Sequence, residues 1–399
     1  MLIEFKIKNL YSLQDEQTLS LVCGDTQEHK SNIFSRAQNK LLKSVGIYGA
    51  NASGKSNVIK ALKTMQDIVL TSADKQEGDI LPILPFLLGK EEKKPSLLEV
   101  SFMVEDTLYT YGFEATQEKI IREYLFSSHK EGEKQEWFSR TYNAKQNKYD
   151  YQLHPHLHSS EDMRKLWQDA TRDNALFLST ATKLNSKKLA PIFDWFKKIN
   201  IKGATKNFGN GLEITLDIFK ENPKTILKYL KTADLDIENL HTEERQLSLQ
   251  VPKSIKKITK TTQTIHLNQD NQPIAFDISL ESDGTQEFLA LLGPIIDTLE
   301  KGQILVIDEI NNHLHPLMTK FIIHLFHKNI TNAQLIFTTH ETSILDKDFF
   351  RKDQIYFCEK QNKATTLYSM HDFKELSEKM DYEKSYLLGR FGALPFINA

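Results

Sequence analysis

Apolar and polar residues alternate along the first part of the chain, and this pattern predicts short β-strands. Ile3, Phe5 and Ile7 alternate with polar residues, so 2–10 is expected to be a half-buried strand, followed by a return strand over 17–22. Later alternating runs, separated by polar turn-rich residues, occupy 98–104, 108–115, 120–127, 135–142 and 148–153. This spacing predicts an antiparallel meander.

Two stretches in the same part of the chain lack this alternation. Residues 24–40 are polar and residues 72–95 contain three prolines, so both are expected to be loops. Between them, a short apolar run at 45–48 leads through a glycine-rich turn into a helical pattern that continues to about residue 71. A strand, a tight turn and a helix are therefore predicted in immediate succession.

Helical periodicity replaces alternation after the meander. Ser159 or Ser160 is suited to cap a helix with an acidic first turn, and 161–198 and 223–231 are predicted to be mainly helical. The aromatic residues here are expected to form core rather than a cofactor site. Two helices could not bury all of them, so we expect some to dock a partner or a second copy: Trp167, Phe193, Trp195 and Phe196.

The glycine-rich turn at 49–56 fits the pattern G-x-x-x-x-G-K-[ST], in the strand–turn–helix context that gives the pattern meaning. Backbone N–H groups of such a turn bind phosphate oxygens at a helix N-terminus. Lys55 is expected to bridge the β- and γ-phosphates of ATP, and the Ser56 hydroxyl to hold Mg²⁺. Further residues expected to bind the nucleotide are Gly49, Asn51, Ala52, Ser53, Gly54 and Asn57.

Two mainly apolar runs in the C-terminal part of the chain, 304–307 and 334–339, predict buried strands, the first of them parallel. Asp308, directly after the first strand, is placed to hold Mg²⁺, and Glu309 to polarise the attacking water. His340 follows the second strand and could donate a hydrogen bond to the γ-phosphate. Taken alone such a histidine would be structural, but the order of the motifs favours a catalytic role.

A second turn of interest precedes an apolar helix and follows a strand predicted over 274–280. A Ser-x-Gly turn that opens a helix is a further anion site by the same dipole argument. Alone this signal is weak, because serine and glycine commonly cap helices. The residues concerned are Ser282, Asp283, Gly284 and Thr285.

Composition narrows the class of protein. The 399 residues suggest two or three domains, or one nucleotide-binding domain with a large insertion. A net charge of −2 gives no support for a general nucleic-acid-binding surface, although a local basic patch is compatible with it. Cys23 and Cys358 fit no metal spacing, which favours a reducing cytoplasm. No apolar run approaches the ~18 residues of a membrane span.

Two polar clusters have alternative interpretations. Three histidines in alternate positions could bind a metal, but no carboxylate or cysteine spacing completes a known site, which favours a polar loop. They are His154, His156 and His158. A lysine run could contact nucleic acid, but no aromatic residues interleave with it, which favours a solvated hairpin. It comprises Lys253, Lys256, Lys257 and Lys260.

The motif order resembles that of the ABC-type ATPase heads of the SMC/RecF class. In that comparison 281–286 corresponds to the signature turn, 310–316 to the D-loop and His340 to the switch histidine. The resemblance implies an α/β fold, namely an ABC-type P-loop ATPase head with an antiparallel β lobe and a mainly helical insertion. It also implies a homodimer or higher homo-oligomer with ATP and Mg²⁺ bound between subunits, the signature of one subunit closing the nucleotide of the other.

Several stretches are more similar to one branch of this class, the compact RloA/AriA-like ATPases found beside bacterial restriction and anti-phage defence genes. They are ESDGTQEF, VIDEINNHLHP, QLIFTTHETSILD and YLLGRFGALPFI. The chain departs from the usual pattern at two places. Asn311-Asn312-His313 replaces Asp-Asn-Ser, and the signature lacks the second glycine of the transporter pattern Leu-Ser-Gly-Gly-Gln, having Asp283-Gly284.

Three domain segments are expected: 1–154 and 241–399 as the two parts of the head, and 155–240 as the helical insertion. The resemblance implies a cytoplasmic ATP hydrolase that regulates an effector encoded nearby, such as a nuclease or toxin. The alternatives are a RecF-like DNA-binding clamp, which strong stimulation by DNA would favour, and an ATP-binding scaffold without turnover. No TOPRIM nuclease domain is expected after His340, because the acidic residues there are scattered.

Overall fold

The computed structural model describes residues 1–25, 28–36, 39–89, 94–128, 134–203, 208–248, 256–373 and 380–395. The chain divides into two compact units. The first contains Met1–Gly203, Lys301–Ile310 and Ile323–Ala399, and the second contains Ala204–Glu300 and Asn311–Ile322. The segment 155–240, expected as one insertion, thus contributes to both units.

The first unit begins with five strands and the helix that follows the glycine-rich turn. They are β1 (Leu2–Lys8), β2 (Gln17–Ser20), β3 (Ile33–Arg36), β4 (Asn39–Leu42), β5 (Ser44–Tyr48) and α1 (Lys55–Thr71). The loop predicted over 24–40 is wrong in part, because β3 and β4 pair there as a hairpin. Leu41 and Phe34 of this hairpin pack with Ile3 and Met103 in a small apolar cluster, which a count of polar residues conceals.

The predicted meander is confirmed. Its strands are β6 (Ser96–Val104), β7 (Thr107–Ala115), β8 (Ile120–Ser128), β9 (Gln135–Asn143) and β10 (Lys148–Leu153). They form one seven-stranded sheet with β1 and β2, in the order β10-β9-β8-β7-β6-β1-β2. Every neighbouring pair is antiparallel, so the alternation of apolar residues places one side of each strand in the core.

Three helices and a short strand complete this part of the chain. They are α2 (Glu161–Ala170), α3 (Phe177–Lys183), α4 (Ala190–Lys197) and β11 (Ile199–Lys202). Ser160 caps α2, as expected for one of the two candidate serines, by accepting a hydrogen bond from Met163 N–H.

The aromatic residues expected to dock a partner are instead part of the core of the first unit. Trp167, Phe193, Trp195 and Phe196 are all buried. The Trp195 ring stacks on Phe102 of β6 with 4.1 Å between ring centroids. The prediction overlooked the antiparallel sheet, which supplies the apolar surface that two helices alone lack.

The second unit contains two helices, a small sheet and a long helix. They are α5 (Phe208–Glu221), α6 (Pro223–Thr232), β12 (Asn239–Ser248), β13 (Lys256–Leu267), β14 (Pro273–Asp277) and α7 (Asp283–Lys301), whose last residue belongs to the first unit. The strands form an antiparallel sheet in the order β12-β13-β14. The hairpin expected around the lysine run is therefore present, although Lys253 itself lies outside the described residues.

Helix α5 was not predicted, because glycines and β-branched residues disfavour helices. Its glycine has a packing role: a Cβ atom on Gly211 would collide with the carbonyl oxygen of Ala290 in α7. The close approach is fixed by Thr215, whose hydroxyl donates to Leu289 O at 2.6 Å and accepts from Gly293 N–H at 2.8 Å.

The remaining elements lie in the first unit, except for residues 316–322, which belong to the second unit. They are β15 (Ile304–Ile307), α8 (Pro316–Lys328), β16 (Gln334–Thr339), β17 (Ile355–Gln361), β18 (Ala364–Ser369) and α9 (Tyr382–Leu387). A six-stranded sheet has the order β11-β15-β16-β5-β17-β18, parallel except for the β17–β18 pair. The predicted α/β fold class with an antiparallel β lobe is confirmed.

Parallel pairing brings the carboxyl ends of β5, β15 and β16 to one edge of this sheet. The glycine-rich turn, Asp308 with Glu309, and His340 follow these three strands in turn. Among the described residues, no helix combines the length and the apolar character that a membrane crossing requires.

A buried polar group joins the C-terminal end of α8 to the start of β5. His327 Nε2 lies 2.8 Å from Ser44 Oγ and 3.2 Å from Gln354 Nε2. Burial, with a contribution from the nearby charges of His324 and Lys43, lowers the pKa of His327 to about 3. The imidazole is thus neutral in the folded protein at neutral pH.

We expect His327 to make the folded protein less stable in mild acid. Between about pH 6.5 and 3 the unfolded state binds a proton at His327 and the folded state does not, so the free energy of unfolding falls as pH falls. The proton at this one group can change the free energy of unfolding by at most about 1.4 kcal/mol per pH unit. Denaturant titrations at pH 7 and pH 5 should show a smaller difference in His327→Gln than in the parent, whereas His158→Gln, at an exposed position before α2, should match the parent. An unchanged difference in His327→Gln would contradict the assignment.

Candidate nucleotide-binding site

The glycine-rich turn connects β5, which is buried along its whole length, to α1. Ala52 and Gly54 have left-handed backbones, with φ of 62° and 106°. A Cβ atom on Gly54 would collide with the Thr365 hydroxyl, and one on Gly49 with the carbonyl oxygen of Cys358. Both glycines are therefore required by close packing of the loop on β17 and β18. We call residues 49–56 the phosphate loop.

A chain of hydrogen bonds supports the phosphate loop from behind. Asn57 Nδ2 donates to Ser12 Oγ at 2.7 Å, and Ser12 Oγ lies 2.7 Å from Thr365 Oγ1. Thr365 Oγ1 in turn donates to the carbonyl oxygen of Ser53 at 2.9 Å. Sequence reasoning missed Ser12 and Thr365 because they are distant from the motif along the chain. Asn57, expected to bind nucleotide, has its amide in this network.

Lys55 lies buried against the loop that precedes it. Its Nζ donates to the carbonyl oxygens of Gly49 at 2.7 Å and Ala50 at 2.9 Å. Burial lowers the pKa of the Lys55 amine, while Cys358 and the two carboxylates of the site act in the opposite direction. The structure therefore places a cation inside a loop that is rich in backbone donors. Asn51 and Ala52 are exposed at its tip, and Ser53 is buried.

The residues expected to hold Mg²⁺ lie together. Ser56 Oγ donates to Asp308 Oδ1 at 3.1 Å. The same carboxylate oxygen accepts a hydrogen bond from Thr338 Oγ1 at 2.6 Å. A hydroxyl and a carboxylate are hard oxygen donors of the kind that Mg²⁺ prefers. The donor set and the loop glycines thus fit a nucleotide with its metal ion.

Glu309 occupies a left-handed backbone conformation, with φ of 57°. Its N–H donates to Thr338 Oγ1 at 2.7 Å, so the hydroxyl that contacts Asp308 also fixes the next residue. Glu309 is partly exposed, and His340 is exposed just beyond the end of β16. The structure brings both predicted catalytic residues to the same sheet edge. Sequence reasoning missed Thr338, which is one of two consecutive threonines at the end of β16.

The signature residues belong to the second unit, where they open α7. Ser282 Oγ accepts a hydrogen bond from Thr285 N–H at 3.1 Å, in the manner of a helix cap. A Cβ atom on Gly284 would meet the carbonyl oxygen of His313 at 2.7 Å. His313 Nδ1 also lies 3.8 Å from Asp283 Oδ2. The two positions that depart from the family pattern, Asp283 and His313, are therefore neighbours.

Comparison with known protein families shows the family to which this chain belongs. Residues 44–346 match the model of a family described as "AAA domain, putative AbiEii toxin, Type IV TA system". The chain belongs to this AAA-domain family. The matched range includes the phosphate loop, the signature turn, Asp308 with Glu309, and His340. The AAA domain is therefore the part of the chain that carries every predicted site residue.

Solved structures similar to this AAA-domain protein include two SMC heads. One is the crystal structure of the SmcHead bound to the C-winged helix domain of ScpA, with a TM-score of 0.43 and 14% identity over 96% of this chain and 99% of that chain. Another is the SMC head domain from Thermotoga maritima, with a TM-score of 0.41 and 14% identity over 92% and 98%. Both likenesses are distant. No curated protein matches the chain in sequence.

The AAA domain has one further contact at its phosphate loop that the sequence did not predict. Residues 389–395, which we call the C-terminal strap, cross the start of the loop. Ala50 N–H donates to the carbonyl oxygen of Ala393 at 3.0 Å, and the Tyr386 hydroxyl donates to the same oxygen at 2.9 Å. The strap thereby fixes one backbone group of the loop.

Aromatic packing holds the C-terminal strap in place. The Phe391 ring stacks on Phe357 of β17 with 5.2 Å between centroids. The Tyr368 hydroxyl donates to the carbonyl oxygen of Phe391 at 2.7 Å. Between the strap and the loop lies a cavity of about 220 Å³. Its lining includes Asn51, Cys358, Lys360, Ala393 and Pro395.

The histidine cluster was considered for a second metal site. Within the described ranges, no group of three or more His, Cys, Asp or Glu side chains is arranged to hold a metal ion. His154 Nε2 instead lies 3.8 Å from Glu136 Oε2. This stretch forms a short 3-10 turn over Pro155–Leu157 before α2.

We expect Gly392→Ala to weaken ATP binding. Gly392 has φ of 67°, and a Cβ atom there would meet the Tyr368 hydroxyl at 2.8 Å, so the strap must shift away from Ala50. A cost of about 1–3 kcal/mol would raise the Kd for ATP by roughly 5- to 150-fold if it falls on the bound state. Gly389→Ala is the matched control, because its φ is 77° but its Cβ would meet only Leu394 Cδ1 at 3.7 Å. Calorimetric titration checks this, and equal affinities in the two variants would contradict a role for the strap.

Proposed function

We propose that this protein is a cytoplasmic Mg²⁺-dependent ATP hydrolase that dimerises around ATP and thereby regulates an effector in bacterial anti-phage defence. The observation that carries the proposal is the cluster of Ser56, Asp308 and Glu309 at the mouth of the phosphate loop, joined through Thr338. A nucleotide-binding scaffold without turnover would have no need of the second carboxylate.

The chemistry of the site supports hydrolysis. The loop N–H groups and Lys55 suit the charge of a triphosphate, and Ser56 with Asp308 would hold the metal ion. When bound, Mg²⁺ would neutralise charge that develops on the phosphate oxygens. Glu309 would orient a water molecule and accept its proton, and His340 would donate a hydrogen bond at the same edge of the sheet.

The signature turn supports a dimer. Ser282, Gly284 and Thr285 lie at the start of α7, where the helix dipole and the backbone N–H groups of the first turn attract anions. In the ATPase heads that the sequence resembles, this turn contacts the nucleotide of the partner subunit. The same arrangement here would make each complete site depend on two chains.

Two observations support a role with a toxin or nuclease. The family description names a toxin and a Type IV TA system. The motif sequences, including the stretch that forms the C-terminal strap, resemble the RloA/AriA-like ATPases of defence loci. The effector would be a separate protein whose state follows closure or opening of the dimer.

We expect Glu309→Gln to retain ATP binding and to lower kcat by a factor on the order of 10² or more, because proton transfer by a positioned base contributes roughly 10²–10⁴. Lys55→Ala should weaken binding itself, since it removes the cation from the loop. Steady-state phosphate release and nucleotide titration separate the two effects. Parental turnover in Glu309→Gln would refute the catalytic assignment.

We expect two inactive variants, Lys55→Ala and Ser282→Arg, to restore activity when mixed. In a mixed dimer one site carries both defects, while the other pairs an intact phosphate loop with an intact signature. If each site acts alone, this dimer should show up to about half the parental rate per dimer, because the lost residues act as one unit.

The mixing experiment needs two controls: Ser282→Arg must still dimerise, and subunit exchange must be demonstrated. With both satisfied, ATP occupancy in the mixed dimer decides between the remaining explanations of a failed recovery. One bound ATP without turnover would mean that both sites must act together. An empty intact pair would exclude the model in which one subunit completes the site of the other.

A further inference from the structure

Thr338 lies one residue beyond the last pair of residues that joins β15 to β16. In the parallel ladder Ile307 of β15 pairs with Phe337 of β16, so the next residues, Asp308 and Thr338, lie opposite each other. Thr338 is buried, and it contacts three consecutive residues after β15. Its hydroxyl contacts Asp308 and Glu309, and its carbonyl oxygen accepts from Ile310 N–H at 3.0 Å.

The hydrogen-bond capacity of the hydroxyl is matched to these contacts. A threonine hydroxyl has one hydrogen and two lone pairs. The hydrogen is directed to Asp308 Oδ1 at 2.6 Å, and a lone pair accepts the N–H of Glu309 at 2.7 Å. One atom therefore fixes the carboxylate expected to hold the metal and the backbone of the carboxylate expected to activate water.

The hydrogen bond from Glu309 N–H to Thr338 Oγ1 stabilises an unusual backbone conformation at Glu309. Its φ of 57° is a left-handed conformation that a residue with a side chain rarely adopts. Such conformations persist only where the surroundings impose them. The hydrogen bond from Glu309 N–H to Thr338 Oγ1, followed by the one from Ile310 N–H to Thr338 O, imposes the turn.

We propose that Thr338 is a positioning residue whose single hydroxyl couples metal binding at Asp308 to water activation at Glu309. This inference rests on the proposed function and deepens it. Loss of the hydroxyl should disturb both carboxylates together, whereas a residue that only stabilises the sheet would change neither the metal requirement nor the affinity of the metal–nucleotide complex.

The test compares Thr338→Val, which removes the hydroxyl and keeps the branched shape, with Thr338→Ser, which keeps the hydroxyl. We expect Thr338→Val to lower kcat by about tenfold or more and to raise the Mg²⁺ concentration for half-maximal activity by a similar factor, since hydrogen bonds to charged groups are worth about that much. ATP binding measured in EDTA should be unchanged, because the phosphate loop is intact. Thr338→Ser should lie within about threefold of the parent.

Thr180→Val is the matched control. Thr180 is also a buried threonine of the first unit, and its hydroxyl has no hydrogen-bond partner among the described residues. It should leave kcat and the Mg²⁺ requirement unchanged. If Thr338→Val does not fold, as judged by thermal unfolding, Thr338→Ala replaces it.

A second readout separates this proposal from the proposed function. Calorimetric titration with ATP, in Mg²⁺ and in EDTA, measures the contribution of the metal to binding without turnover. If the parent binds Mg²⁺–ATP but hydrolyses nothing, the hydrolase function fails, and Thr338 keeps its role only if Thr338→Val loses the metal-dependent part of binding. Parental metal dependence and parental kcat in folded Thr338→Val would overturn the proposal. A parent that binds no nucleotide would overturn both.

Discussion

The parallel pairing of β16 between β15 and β5 is the interaction on which the nucleotide site depends. Ile336 pairs with Val306 on one side and with Val45 on the other, and this register brings three strand ends to the same edge of the sheet. Because of it, three groups that are far apart in sequence lie side by side: the phosphate loop, the carboxylates of Asp308 and Glu309, and the exposed His340. A slip of one residue would turn Thr338 away from Asp308, because successive side chains of a strand face opposite sides.

The contacts around these strand ends stabilise the phosphate loop, whose conformation would be unfavourable in isolation. The loop contains left-handed residues and a buried lysine, and each would be unfavourable in isolation. Lys55 satisfies loop carbonyls, while Ser12 and Thr365 support the opposite side. Burial also raises the pKa of the Cys358 thiol to about 12, so this wall of the loop is neutral. The C-terminal strap adds a hydrogen bond at the start of the loop. Most of these partners come from the two ends of the chain.

The sequence was sufficient to predict features set by local pattern. Alternation predicted the meander, consecutive apolar residues predicted β15 and β16, and glycine spacing predicted the loop between β5 and α1. Features set by contacts distant in sequence were not predictable. In the sequence Gly211 disfavours a helix, and only the structure shows that α7 lies too close to it for a side chain. Similarly, the helices alone leave Trp195 without an apolar partner, and the structure shows that Phe102 of the sheet stacks on it. Thr338 and Thr365 have ordinary strand surroundings in sequence, and only the pairing of strands shows their contacts with the site.

The support behind the phosphate loop has a consequence for how the protein is made. The hydroxyl that contacts Ser53 comes from Thr365, 312 residues later in the chain. At ribosomal speeds of roughly 5–20 residues per second, the loop emerges on the order of 15–60 s before its wall. Until β16 is made, β5 lacks both of its parallel neighbours, β16 and β17, so a strand that is fully buried in the folded protein has both edges unpaired. A nascent chain that stops before β17 would contain the whole phosphate-binding motif and still lack Cys358 and Thr365, which pack against its glycines.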